Sequence, residues 1–248
     1  MIEIDGLTKI YGDFAAVSDL SVRVEPGEVL GLVGPNGAGK TTTLRCVVGI
    51  IPPSCGDVRI SGHSMTGEPL LAKRDLAFMP DEPRLFDYLT VMEHLQFTAR
   101  IYGLREYRAS AQELLEELEL TGKTNALPAE LSRGMKQKLV IACGLLHSPK
   151  ALLFDEPLTG LDPLGIRRMK STILKRAATG ASIIISSHLL HLVEEVCDRV
   201  LILNQGRKII HGSLDEIQRS LPGLREDTSL EDMFLRITGH ADDGGAGG

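Results

Sequence analysis

The stretch "EVLGLVGPNGAGKTTTLRCVVG", Glu28 to Gly49, passes from apolar residues through glycines to a lysine and three threonines, then returns to apolar residues. Residues 29–33, "VLGLV", are short, mostly apolar and suited to a buried strand, while "TTTLRCVVGI" carries apolar residues at helical spacing. The segment between them, Gly34, Pro35, Asn36, Gly37, Ala38 and Gly39, is a glycine-rich turn at the start of a helix. Successive N–H groups in such a turn form a concave array of donors, and the helix dipole adds partial positive charge. The arrangement suits an anion of phosphate size. Lys40 can reach terminal phosphates as a point charge and the Thr41 hydroxyl can ligate magnesium, with Thr42 beside it, which is the mechanical content of G-x-x-x-x-G-K-[ST]. With glycine near 7% of residues, a chance match in a chain of this length is on the order of one in a hundred. A dinucleotide-binding turn fits less well, because it needs G-x-G-x-x-G and Gly34, Gly37 and Gly39 are spaced otherwise.

The whole chain bounds the context of that turn. Its 248 residues are 43% hydrophobic with no Trp, enough for one large α/β domain with an appended subdomain. Net charge is −6, with no long basic cluster, which argues against direct contact with nucleic acid. Cys46, Cys55, Cys143 and Cys197 have neither metal-ligand nor C-x-x-C spacing and read as buried free thiols in a reducing compartment. No apolar run approaches the roughly 20 residues that cross a bilayer, and "MIEIDGLTKIYG" is not a signal peptide. The expectation is a cytoplasmic chain that touches a membrane only through a partner.

Residues 1–26 alternate as strands do, with Gly12-Asp13 as the turn between antiparallel pieces. Strands are predicted at "DVRISG" and "LAFMP", after a break at "IPPSCGD". Residues 87–148 carry apolar residues at helical intervals with no strand, and read as a helical insert. From Lys150 strand-helix alternation resumes: "ALLFDEP", a helix near 163–178, "ASIIISSH", a helix near 189–197, and a hairpin across Asn204 to Gly206. That alternation implies a mainly parallel sheet with helices on both faces.

A second set of residues complements the glycine turn. Ala151 to Phe154 form a buried strand that ends in Asp155-Glu156-Pro157. Because adjacent strand residues point to opposite sides, Asp155 can hold a magnesium hydration shell while Glu156 faces the side where water could attack a γ-phosphate. The strand in "IIISSH" delivers His188 to the same carboxyl edge of the sheet, where ligands of open α/β sheets bind. In "LSRGMKQKLVIACGLL", Ser132 can cap a helix and Gly134 lets a phosphate approach its first turn.

Together, "GPNGAGKTT", "LSRGMKQ", "LLFDEP", "GLD" and "SSH" stand in the order and spacing of the nucleotide-binding subunit of ABC transporters, which this chain resembles over about residues 1–225. The "LSRGMKQ" element separates that family from other P-loop ATPases. The resemblance implies a P-loop NTPase with a RecA-like core, an N-terminal antiparallel β subdomain and an inserted α-helical subdomain, followed by a short helical extension at 226–239, and the small, glycine-rich end at 240–248 reads as a disordered tail. It also implies ATP and Mg2+ as ligands, and a head-to-tail dimer with a second copy or a related ATPase subunit. Gly34 to Thr42 resemble the phosphate loop, Asp155 the metal carboxylate, Glu156 the general base and His188 the switch. Ser132, Gly134 and Gln137 fall in the signature, Asp162 in the D-loop, and Tyr11 where the family stacks an aromatic on adenine.

One position departs from the pattern. After "LAFMP" the family usually places a glutamine that contacts magnesium or the attacking water, and here the residue is Asp81. The carboxyl end, "SLEDMFLRITG", resembles a subfamily of exporters. The implied function is an ATPase subunit that powers a separately encoded multi-pass permease from the cytoplasmic face of the membrane. The alternative is an ABC-type ATPase acting on DNA or ribosomes, against which stand the acidic charge and the lack of a long coiled coil.

Overall fold

The computed structural model describes residues 1–159, 161–221 and 228–243. Alternation near the N-terminus gives β1 (Ile2–Tyr11) and β2 (Phe14–Val24), and the apolar run before the glycine turn gives β3 (Val29–Val33). There follow α1 (Lys40–Val47), β4 (Cys55–Ile60), β5 (His63–Ser64), α2 (Pro69–Arg74) and β6 (Leu76–Met79). Three helices, α3 (Val91–Ile101), α4 (Arg108–Glu117) and α5 (Arg133–Leu145), separate β6 from β7 (Ala151–Asp155). Next come α6 (Pro163–Ala178), β8 (Ser182–Ser186), α7 (Leu190–Val196), β9 (Arg199–Asn204), β10 (Arg207–Gly212), α8 (Leu214–Ser220) and α9 (Leu230–Asp243).

The strands form two sheets. One is antiparallel in the order β2-β1-β4-β5, and the other runs β10-β9-β3-β8-β7-β6. In the second sheet β3 lies parallel to β8 and β9, and β7 lies parallel to β6 and β8, while only β10 is antiparallel. Every residue of β3, β7 and β8 is buried, which is why these strands read as unbroken apolar runs. Their parallel register brings the loop after β3, the carboxylates at the end of β7 and the Ser187-His188 pair after β8 to one edge.

Buried apolar clusters cover both faces of this sheet. On one face Leu95, Leu115, Leu139 and Ile141 of the helical insert pack with Phe154 and Ile183. On the other, Leu44 and Val47 of α1 pack with Ile2, Leu20 and Ile60 of the antiparallel sheet. Polar contacts fasten the insert to the core: Glu117 of α4 accepts hydrogen bonds from Thr172, Lys175 and Arg176 of α6 at 2.9, 3.0 and 3.3 Å.

The turn at Gly12-Asp13, the hairpin across Asn204 to Gly206 and the all-helical character of 87–148 are as expected, but α2 and α8 are not foreseen, being six and seven residues long. The terminal helix runs on to Asp243, past the expected end at 239, with Leu230, Met233 and Ile237 packed against Leu190 and Val193. Of the tail expected to be disordered, residues 244–248 lie outside the described residues, as does the expected boundary at 225. The cysteine expectation is also corrected at one position: Cys55 is exposed, because it opens β4 directly after the Pro-Ser break, before that strand reaches the core.

Candidate functional site

The glycine turn is fixed by close backbone approach. A Cβ on Gly39 would lie 2.5 Å from the Ala16 carbonyl oxygen, and Gly39 holds φ at 102°. A Cβ on Gly34 would lie 2.4 Å from the Leu203 carbonyl oxygen. Glycine is therefore required where β2 and β9 press on the turn. Pro35, Asn36 and Gly37 are exposed at its crest and Ala38 is buried beneath them. Helix α1 opens with no side-chain cap and no acidic residue in its first turn, which leaves its N-terminal donors to an anion. Lys40 arches back over the turn, its Nζ donating to the Gly34 and Pro35 carbonyls at 2.6 and 3.1 Å. Burial lowers the Lys40 pKa, with the nearby Glu156 and Asp155 charges acting in the opposite direction.

Asp155 is 6% exposed and accepts a hydrogen bond from Ser186 Oγ at 2.5 Å across the β7–β8 pair. Glu156 separates from it by a different device than strand alternation. It lies beyond the end of β7 with φ at 50°, in the left-handed region that non-glycine residues rarely adopt. That turn carries Glu156 Oε2 to 2.8 Å from His188 Nδ1 and 3.4 Å from the His188 N–H and Ser187 Oγ. Thr41, Asp81, Asp155 and Glu156 open on one cavity of about 920 Å³, with Arg45 and Arg84 also on its wall. A hydroxyl and carboxylates form a hard oxygen donor set that fits Mg2+, and the cationic turn beside them fits a polyphosphate. Arg45 was not anticipated, although its place four residues after Thr41 puts both on one face of α1.

Ser132 caps α5, its Oγ accepting from the Met135 N–H at 3.2 Å. Ser132 and Gly134 stand at the start of α5 and do not line the cavity that holds Thr41 and Glu156. Gln137 departs from the expectation that it faces a nucleotide. It is 4% exposed and its Nε2 donates to the Pro80 carbonyl at 3.2 Å, because its place on α5 turns it toward the end of β6. Asp162 caps α6, accepting from the Gly165 N–H at 2.6 Å. Tyr11 is half exposed at the tip of the first hairpin, with the Lys9 ammonium 5.1 Å from its ring centroid and Phe14 opposite it. Asp81 is ion-paired to Arg133 of α5 at 3.2 Å, a contact that sequence reasoning missed.

The ABC transporter family model matches residues 17–159 of this chain. The chain belongs to the ABC transporter family. This ATP-binding subunit is 34% identical over 240 residues to the ABC-type transporter ATP-binding protein EcsA of Bacillus subtilis (strain 168), covering 96% of each chain. It is 37% identical over 224 residues to the Nod factor export ATP-binding protein I of Rhizobium etli, covering 90% of this chain and 71% of that one. A solved structure described as an ATP binding subunit of an ABC transporter superposes with a TM-score of 0.91 at 37% identity, covering 96% of this chain and 99% of that one. The expected ABC ATPase subunit, its P-loop NTPase fold and its link to transport are thereby borne out.

Proposed function

We propose that this subunit hydrolyses Mg-bound ATP to power export by a separately encoded multi-pass permease, seated at the cytoplasmic face of the membrane. The observation that carries the reading is the Glu156 carboxylate, held against His188 in the cavity that Thr41 and Asp155 share. The turn from Gly34 to Thr42 binds the phosphates through its N–H groups, with Lys40 exchanging its two carbonyl partners for phosphate oxygens. Thr41 and Asp155 would hold the metal, which when bound would supply neutralising charge to the transferring phosphoryl group. Glu156 takes the proton of the attacking water, and His188 orients Glu156. Tyr11 stacks on the adenine, as its exposed ring at the tip of the first hairpin permits.

Ser132 and Gly134 stand outside their own chain's cavity. That supports a head-to-tail dimer, with a second copy or a related ATPase subunit, in which each signature helix N-terminus meets the other's nucleotide. Asp162 contributes at the same interface by fixing the start of α6. The Nod factor export relative supports the direction of transport. Phe86, Phe97 and Ile101 leave apolar surface exposed along a cleft between α3 and β6, which suits a permease segment.

The test is Glu156→Gln. It keeps ATP binding, loses turnover by about 100-fold or more and accumulates as an ATP-bound dimer. Turnover at the parental rate removes Glu156 from the role of base. Copurification from detergent-solubilised membranes recovers a multi-pass partner. Recovery of ribosomes or nucleic acid instead would overturn the transport assignment.

A further inference from the structure

Asp81 and Arg133 stand 52 residues apart in sequence and meet at 3.2 Å, Arg133 Nη2 to Asp81 Oδ1. Asp81 lines the cavity with Thr41, Asp155 and Glu156, whereas Arg133 is the first residue of α5, next to its cap Ser132. The contact therefore joins a cavity carboxylate to the helix end whose Ser132 and Gly134 lie outside that cavity. Three further observations bear on it. The first turn of α5 holds a cation and no acidic residue, a placement the helix dipole disfavours unless an anion lies close. Asp81 supplies that anion. Gln137, one turn on, grips the adjacent Pro80 carbonyl at 3.2 Å from a buried position, so the backbone that carries Asp81 is tethered to the same helix. Both members of the ion pair remain solvent-accessible, 56% for Arg133 and 43% for Asp81, so the pair can open without burying an uncompensated charge.

We propose that Arg133 is a positioning residue for Asp81, competing with the divalent cation for its carboxylate. With Arg133 engaged, Asp81 is drawn toward α5. When a cation occupies the cavity it draws Asp81 away, and the guanidinium is released at the N-terminus of the signature helix. Occupancy of one site is thereby communicated to the surface that faces a second copy. The inference rests on the reading that this cavity takes a metal-bound nucleoside triphosphate.

The test uses the full chain at concentrations where it is monomeric, a non-hydrolysable ATP analogue, and Mn2+ as the metal probe. The quantity measured is the gain in analogue affinity on going from EDTA to Mn2+. Arg133→Ala raises this gain about two- to five-fold, the range of an exposed ion pair removed from the competition, and leaves the affinity in EDTA unchanged. Arg133→Lys returns it to near the parental value. Asp81→Asn lowers the gain, and adding Arg133→Ala in that background changes nothing further. Equal gains in the parent and Arg133→Ala, with binding in EDTA intact, overturn the role of Arg133. A parent whose affinity does not respond to Mn2+ at all overturns the metal-nucleotide reading itself, and the inference with it.

Discussion

Lys40 is held by the fold in a place that a lysine does not choose for itself. Its ammonium is partly buried and its pKa is lowered by that burial, against the pull of Glu156 and Asp155. A lysine with a folded pKa below its unfolded value binds its proton less readily when folded. The cost is present at neutral pH, and stability rises as pH climbs from the folded toward the unfolded pKa. The carbonyls of Gly34 and Pro35 offset part of it by accepting from Nζ. Lys40→Ala is expected to weaken ATP binding by about 10- to 100-fold, the loss of charged hydrogen bonds to phosphate. Its thermal midpoint, unlike its affinity, should hardly fall, since a desolvated charge leaves with the side chain. Calorimetric titration and thermal unfolding of the same sample separate the two effects.

At the scale of elements, the turn between β3 and α1 is set by what presses on it. Gly34 is the sharper case, because the atom its Cβ would meet at 2.4 Å is the backbone carbonyl of Leu203, which has no rotamer to move. Gly34→Ala must shift either the turn or β9, and is expected to cost on the order of 1–3 kcal/mol of stability together with most ATP affinity. A variant with parental denaturant midpoint and parental affinity would show that the approach relaxes freely. The N-terminus of α5 makes a different prediction. Ser132 Oγ caps that helix through Met135 N–H, so Ser132→Ala should cost about 1 kcal/mol of stability. In the proposed dimer it should also weaken ATP-driven association, whereas Ser132→Asn, which restores a cap of another shape, should recover stability without recovering association.

At the scale of the molecule, the helical insert and the core move together only as far as their fastenings allow. Glu117 ties α4 to three residues of α6, and Glu119 adds ion pairs to Lys138 and Arg168 at 3.2 and 2.7 Å. Helix α6 begins at Pro163, capped by Asp162, so the insert is linked to the segment that follows Asp155 and Glu156. With a charge of −6 on each chain, two copies repel modestly, and in the proposed dimer nucleotide would supply the bridging contacts. The isolated subunit is expected to sediment as a monomer without ATP, and Glu156→Gln as a dimer with it. A nucleotide-free dimer that persists in Ser132→Ala would contradict this arrangement.

The amino-acid sequence by itself determined what depends on near neighbours. Three short, mostly apolar runs without alternation specify β3, β7 and β8, since a parallel strand buried on both faces needs none. The phosphate turn is equally local, six residues between a strand and a helix. The tertiary structure alone decided contacts between residues that no local period relates. The Asp81–Arg133 pair spans 52 positions and depends on how the insert docks beside the end of β6. Gln137 falls in the signature that the resemblance links to nucleotide, but the docking of α5 turns it inward to Pro80. The Glu156–His188 contact needed the parallel β7–β8 register to bring the two strand ends together, and a left-handed turn at Glu156 to complete the approach. Short-range spacing fixes which backbone groups and side chains an element presents, whereas the partner each one meets is fixed only when burial of the apolar faces sets the elements against one another.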